Sequence, residues 1–296
     1  MSGCFDAPAM GWNGLSLVSP VLTSATPLIL AAAGELVVER AGIVNIGIEG
    51  MMLSGALAAW FVDLWKGPMA GVAAAMLLAM LLAVPFAIAA LIFAADQIVT
   101  GTGINLLALG VTGMAYKLTP ADWQARTPLA IDPRRLMVVT LLIVVAAGWM
   151  LRFTRLGLSL TAIGESPQAA RAAGIAVQRH RFLAIMFGAA CAGLAGSYLS
   201  IMFNQSFTEN MTDGIGFLAL AMVIFGRWRA TGILLAGLFF GLVHAVANHV
   251  ETRSGLPPAV LRLFAALPYL ISLAALAGVA GKSGAPAALG KAFSSR

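Results

Sequence analysis

Nine strongly apolar segments follow one another along this chain, most of them near the 20 or so residues that carry a helix across a hydrocarbon core. They are Leu15–Ala33, Met51–Trp65, Met69–Phe93, Val99–Tyr116, Leu136–Leu151, Phe182–Phe203, Ile215–Phe225, Gly232–Val250 and Ala259–Ala280. Of the 296 residues 60% are hydrophobic and 10% charged, against about a quarter charged in a soluble domain. These numbers predict an all-α polytopic membrane protein of about nine transmembrane segments, forming one domain over residues 1–296. Short segments such as the seventh point to broken or re-entrant elements, which a bilayer tolerates only where protein or water satisfies the freed backbone.

The long polar interval Thr154–Arg181 carries Arg155, Arg171, Arg179 and Arg181 against a single acid, Glu165. Ser166 suits a helix N-cap, Pro167 the first helical position, and Gly174 the left-handed residue that ends a helix. The spacing predicts a short helix over Pro167–Ala173. Its alanines, Ala170 among them, would let a partner approach closely, with Arg171 at the edge; a plain solvated basic loop is the competing reading. If this loop is cytoplasmic, 11 of the 18 bases fall inside and 7 outside, in the sense of the positive-inside rule. The N-terminus is then outside and the tail over 281–296 inside. Trp60, Trp65 and Trp123 fall near the outer interface.

Between the first two apolar segments lies GELVVERAGIVNIGIEG, Gly34–Gly50. Glu35 and Glu39 share a helical face at i, i+4, as Asn45 and Glu49 would. Gly42, Gly47 and Gly50 break the helical tendency between the pairs. Ionisable groups at membrane depth are costly without partners, so a discontinuous segment facing a protein interior or watery path is predicted. An interfacial loop with snorkelling acids is the alternative. Gln97–Asn105, QIVTGTGIN, reads as a glycine-rich turn with two amides opening the fourth segment. The interval Asp213–Gly232 repeats the sequence of span, glycine-rich break and short span, and five intervening spans would give the copies opposite orientation. An inverted repeat is therefore expected, with a substrate path between its halves.

Several other chemistries are disfavoured. The first fourteen residues carry no Lys or Arg, unlike the start of a cleavable signal peptide. Cys4 and Cys191 make no disulfide framework and no metal spacing. AGKS at Ala280–Ser283 lacks the glycine a phosphate-binding loop needs, since Leu276 stands there. Gly101 and Gly103 do not complete a dinucleotide fingerprint. His180, His244 and His249 have no nucleophile or carboxylate at catalytic spacing. No catalytic residue, metal site or cofactor is expected of this chain, and no basic–aromatic patch points to nucleic acid.

Three stretches carry a family resemblance: Glu39–Ala56 (ERAGIVNIGIEGMMLSGA), Thr154–Ile175 (TRLGLSLTAIGESPQAARAAGI) and Gly214–Gly232 (GIGFLALAMVIFGRWRATG). Together they resemble permease subunits of ABC importers of the nucleoside and simple-sugar group, related to the ribose and branched-chain amino-acid permeases. The resemblance implies a multi-pass protein of a bacterial inner membrane. It implies a cytoplasmic ATPase that uses ATP, a second homologous permease forming a heterodimer, and an extracytoplasmic substrate-binding protein. It also implies that Ser166–Gly174, with Glu165 beside it, is the coupling helix, and that the segment around Asn45–Gly50 lines the path. Glu35, Glu39, Asn45, Glu49 and Asn105 are the expected path residues. Acids and amides without a base cluster suit a neutral hydrogen-bonding solute: nucleosides first, monosaccharides second. A proton-coupled secondary transporter using Glu35, Glu39 or Glu49 is the competing class. On the coupling reading, Ala170→Arg or Gly174→Pro abolishes transport and leaves the affinity of the binding protein for its solute unchanged; normal uptake in both variants refutes it.

Overall fold

The computed structural model describes residues 14–129, 132–253, 266–267, 270, 284–291 and 293. In chain order its helices are α1 (Gly14–Arg40), α2 (Ile48–Lys66), α3 (Pro68–Ala87), α4 (Gln97–Leu118), α5 (Ala121–Gln124), α6 (Pro133–Phe153), α7 (Arg155–Glu165), α8 (Pro167–Ala172), α9 (Val177–Ser197), α10 (Ile215–Phe225) and α11 (Ala230–Arg253). Widened π turns extend α3 over Ile88–Ile92 and α9 over Tyr198–Phe203. The described residues contain no strand.

Seven helices among the described residues are long and apolar enough to cross a membrane, so the chain is a multi-pass membrane protein. The seventh apolar segment coincides with α10, whose 11 residues are too few to span. All but three residues of the ninth segment lie outside the described residues, as do residues 1–13 and part of the 281–296 tail. The expected nine spans thus become seven long helices and one short one among the described residues.

Polar residues set the helix starts. Asp96 accepts from the N–H groups of Ile98 and Val99 at 2.8 and 3.0 Å and opens α4. Asp132 does the same for α6 through Arg134 N–H at 3.0 Å, with Pro133 in the first turn. The sequence reading of Gln97–Asn105 as a turn is corrected: it is regular helix. Gly101 is there for close approach, because a Cβ on it would lie 2.7 Å from the Gly47 nitrogen. Likewise Glu35 and Glu39 belong to a continuous α1, whereas Asn45 lies in the non-helical stretch 41–47 and forms no helical pair with Glu49.

Helix α1 runs through the middle of the bundle, packed by α6, α9, α10 and α11, while α2, α3 and α9 form a tight trio beside it. Lipid offers helices no hydrophobic incentive to associate, so close backbone packing through small residues must hold them. The trio shows this: a Cβ on Gly55 would stand 2.7 Å from the Gly193 Cα, and one on Gly196 would meet the Met52 carbonyl. By contrast α4 and α6 present Leu106, Leu107, Val111 and Met114, and Leu141, Leu142, Val145 and Trp149, to the outside. At the bundle end opposite α8, Trp65 is exposed and packs on Trp123 at 5.6 Å. Trp60 departs from the interfacial expectation: it is buried against Tyr116 and Phe207.

Gly193→Val and Gly196→Val therefore lower the thermal stability of the detergent-purified chain by the equivalent of about 1–3 kcal/mol, the usual cost of overpacking. Gly103→Ala, where a Cβ meets nothing within 4 Å, does not. Thermal unfolding followed by tryptophan fluorescence makes the comparison.

Candidate functional site

Leaving helical geometry at residues 41–47 frees backbone groups that lipid cannot satisfy. Two of the side chains expected along a path, Glu35 and Asn105, bond backbone in and beside this stretch. Asn45 N–H donates to Glu35 Oε1 at 2.9 Å and Gly50 N–H to Asn105 Oδ1 at 2.8 Å. Asn105 Nδ2 returns a bond to the Ile46 carbonyl at 2.9 Å. Two residues outside the expected set join them. Gln97 accepts from Val44 N–H at 2.8 Å, and Arg181 donates through Nε to the Ala41 carbonyl at 3.0 Å. Gly50 sits so close to α4 that a Cβ would fall 2.8 Å from that of Ala108.

Glu49 reaches across to a second break. Its two oxygens accept from Gly214 and Gly216 N–H at 2.8 and 2.6 Å, at the exposed backbone start of α10. A carboxylate on the first N–H groups of a helix is favoured by both the unpaired donors and the helix dipole. The α10 helix ends in a third irregular stretch, where Arg227 and Trp228 both take left-handed backbone (φ +52° and +54°). Such geometry costs non-glycine residues about 1–3 kcal/mol, and α1 holds it in place. The Trp228 indole donates to Glu39 Oε2, and Arg40 donates to the Trp228 carbonyl at 3.1 and 2.6 Å. Glu35, Glu39, Asn45 and Glu49 are all buried, and the Glu35 Oε2 and Asn45 Oδ1 acceptors have no partner among the described residues.

The loop after α6 is built as its sequence implies. Ser166 Oγ accepts from Ala169 N–H at 3.3 Å, Pro167 opens α8, and Gly174 (φ +84°) ends it. Ala169, Arg171, Ala172 and Ala173 face outward. Ala170 faces inward, packed with Ile163, Val177 and Phe293, so it supports the helix and offers no contact surface. Glu165 accepts from Ala287 N–H at 3.4 Å. Residues 284–291 form a strap under this loop: Ala288 N–H bonds the Gly164 carbonyl at 2.8 Å and Gly290 N–H the Gly42 carbonyl at 3.2 Å. The strap therefore touches both the α7–α8 loop and the first break. Path and loop residues form separate clusters, joined by the strap and by Arg181.

Trp228, Gln97 and Arg181 were missed as site residues. Arg181 counts as a solvated loop base in the sequence; here it is buried, and its guanidinium lies 5.7 Å from the Phe293 ring centroid. Its position four residues into a helix whose following turns are apolar was the available signal.

Broken helices are clamped here by buried polar side chains inside a bundle of membrane-crossing helices, with a short helix, α8, at one end. The chain belongs to the family described as branched-chain amino acid transport system / permease component, whose signature matches residues 17–276. It is 34% identical to the guanosine ABC transporter permease protein NupQ of Bacillus subtilis (strain 168), over 93% of this chain and 96% of that protein. It is 30% identical to the nucleoside ABC transporter permease protein NupC of Lactococcus lactis subsp. cremoris (strain MG1363), over 93% and 95%. With the glucose ABC transporter permease protein TsgB13 of Haloferax volcanii it shares 30% identity over 86% and 75%. No solved structure matches the chain. It is a multi-pass inner-membrane transport subunit and is not itself an enzyme.

Glu49→Gln places an amide where a carboxylate accepts two N–H groups, and leaving a buried donor unpaired costs about 1–3 kcal/mol. Both Glu49→Gln and Gly216→Ala, whose Cβ would press on Glu49 Oε2 at 2.7 Å, lower the unfolding midpoint clearly. Glu209→Gln removes only an exposed pair with Lys117 and shifts it little, since exposed pairs contribute about 0–1 kcal/mol. Differential scanning calorimetry on the three variants reads the contrast.

Proposed function

We infer that this chain is the path-forming permease subunit of an ATP-driven importer of nucleosides. The observation that carries the reading is full-length similarity to permeases named for guanosine and for nucleosides. The chemistry of the broken segments agrees with it. The first of them, with the side chains that clamp it, holds Glu35, Asn45, Glu49, Gln97 and Asn105, and Glu35 Oε2 and Asn45 Oδ1 retain unused acceptor capacity, which suits a neutral solute rich in hydrogen-bond donors. Glu35, Glu39, Asn45, Glu49 and Asn105 lie along the path in this reading, chiefly as the groups that hold its walls. A monosaccharide is the second reading, favoured by the likeness to the glucose permease.

The exposed surface of α8, with Ser166 and Gly174 at its ends, docks on a cytoplasmic ATPase, which binds and hydrolyses the ATP. That places α8 on the cytoplasmic side and the Trp65–Trp123 end outside. A second, homologous permease completes the path, and an extracytoplasmic binding protein delivers the solute. The two breaks that meet at Glu49, one before α2 and one before α10, are the counterparts expected of an inverted repeat, and access alternates as its halves rock.

Purification of the tagged chain in mild detergent recovers an ATPase and a second permease in comparable amounts. In proteoliposomes with the binding protein, labelled guanosine uptake requires ATP and survives an uncoupler. Ala172→Arg, on the exposed face of α8, reduces ATP-driven uptake at least about tenfold, as placing an unpaired charge in an interface would, and leaves solute binding by the binding protein intact. Uptake that collapses with the uncoupler and persists without ATP refutes the reading; competition by glucose but not by nucleosides moves the substrate to sugars.

A further inference from the structure

At the α8 end of the bundle, a cavity of about 820 Å³ opens between the last turns of α6, Thr161 in the middle of α7 and the irregular stretch before α11. Three guanidinium groups surround it, from Arg40, Arg152 and Arg229, and none makes an ion pair among the described residues. Two acids lie outside its lining: Glu39, which accepts from the Trp228 indole, and Glu165, which attracts Arg40 and accepts from Ala287 N–H. Arg40 is fixed in place by its bonds to the Trp228 carbonyl. No acid lines the cavity itself, so its lining is net positive.

Apart from Thr161 and Thr231, its other walls are apolar. Val144, Val145 and Leu234 line it alongside Trp149 and Phe153. At 1.5 Å per helical residue, Val144 lies about 12 Å deeper than Arg152 along α6. The outer face of α6 is open, with Val145, Trp149 and Phe153 exposed at 56%, 60% and 68%, and Leu156 and Leu158 continue that exposure onto α7. Trp149 sits one turn inside Arg152, the depth at which amphipathic rings collect in membrane interfaces. A positive mouth at the interface above an apolar trough matches a molecule with an anionic head and hydrocarbon tails.

We propose that this cavity binds an anionic phospholipid, its phosphate held by Arg152 and Arg229 beside Arg40 and its acyl chains lying along Val145 and Leu234. The lipid comes from the leaflet on the α8 side; that this leaflet is cytoplasmic rests on the function proposed above, but the site itself does not. A free phosphate compound would gain nothing from the apolar trough, and a protein partner would not need a site open to the bilayer. Bound there, the lipid neutralises the charge that gathers where α6, α7 and the Trp228 turn meet, and so holds α6 against α11.

The test is native mass spectrometry of the complex purified in mild detergent and incubated with dioleoyl phosphatidylglycerol or dioleoyl phosphatidylcholine. The wild type retains the glycerol lipid well in excess of the choline lipid. Each guanidinium removed lowers that preference about fivefold, the worth of one base near an anionic surface. Arg229→Gln alone therefore weakens it, Arg152→Gln with Arg229→Gln abolishes it, and the corresponding double lysine variant keeps most of it. Equal retention of the two lipids by the wild type overturns the proposal. So does an undiminished preference in Arg229→Gln, an exposed position whose variant tolerates the change if the double variant fails to fold. Displacement of the lipid by millimolar glycerol 3-phosphate reassigns the cavity to a soluble phosphate and also overturns it. The readout needs neither transport nor knowledge of the solute, so its failure leaves the importer reading standing, and the failure of that reading leaves this one.

Discussion

A backbone that leaves helical geometry within a bilayer has N–H and C=O groups that hydrocarbon cannot satisfy, and each one left unpaired is worth several kcal/mol against the fold. Most of the buried polar chemistry in this bundle answers that constraint. Around residues 41–50, four side chains from three helices replace the missing ladder: Glu35 from α1, Gln97 and Asn105 from α4, and Arg181 from α9. The position of the break fixes where those helices must stand. An amide on α4 that bonds both Gly50 N–H and the Ile46 carbonyl leaves little freedom to slide or rotate.

The three irregular stretches are also tied to one another. Glu49, at the first turn of α2, grips the start of α10, and Glu39 with Arg40, at the last turn of α1, grips its end. Helix α10 is therefore suspended between the two ends of the first break, and one element cannot shift without disturbing the other. At the α8 end, the strap of residues 284–291 bonds both Gly164, at the end of α7, and Gly42, in the first break. Close packing leaves it no slack: Gly42 would bring a Cβ within 3.3 Å of both the Ala288 carbonyl oxygen and the Gly164 Cα. The α7–α8 unit, the first break and the Trp228 turn are thus joined by contiguous hydrogen bonds through the strap, Arg40 and Glu39.

How much of this could be read from the sequence depends on whether the signal is local. The helices were legible because twenty apolar residues in a row have few alternatives, and the α8 turn because its cap, proline and left-handed glycine lie within nine residues of one another. Glu35, Glu39, Asn45 and Glu49 were visible as polar groups out of place. Their partners were not, because Trp228 lies 189 residues from Glu39, and Gly214 lies 165 from Glu49. The i, i+4 spacing of Asn45 and Glu49 misled for the same reason: a helical wheel presumes a helix, and α2 begins only at Ile48, after Asn45. Ala170 shows the limit on a smaller scale. Composition says that α8 is small-sided, but only the packing of Val177 and Phe293 beneath it says which side is which.

The same geometry bears on whether the buried acids could carry protons. A proton carrier must exchange its proton with both sides of the membrane, so its carboxyl needs an oxygen that is not committed to fixed donors. Glu49 has both oxygens on backbone N–H groups, donors that cannot turn away or accept in return. Glu39 holds the indole of a residue whose left-handed backbone depends on being held. Protonating either would replace an accepted hydrogen bond with an O–H facing an N–H and would loosen a break that the bundle relies on. Glu35 keeps its Oε2 without a partner while its other oxygen serves Asn45 N–H, and Glu39 uses one oxygen, Oε2, on the indole. Carboxylates used this way act as fixed acceptors for broken helices.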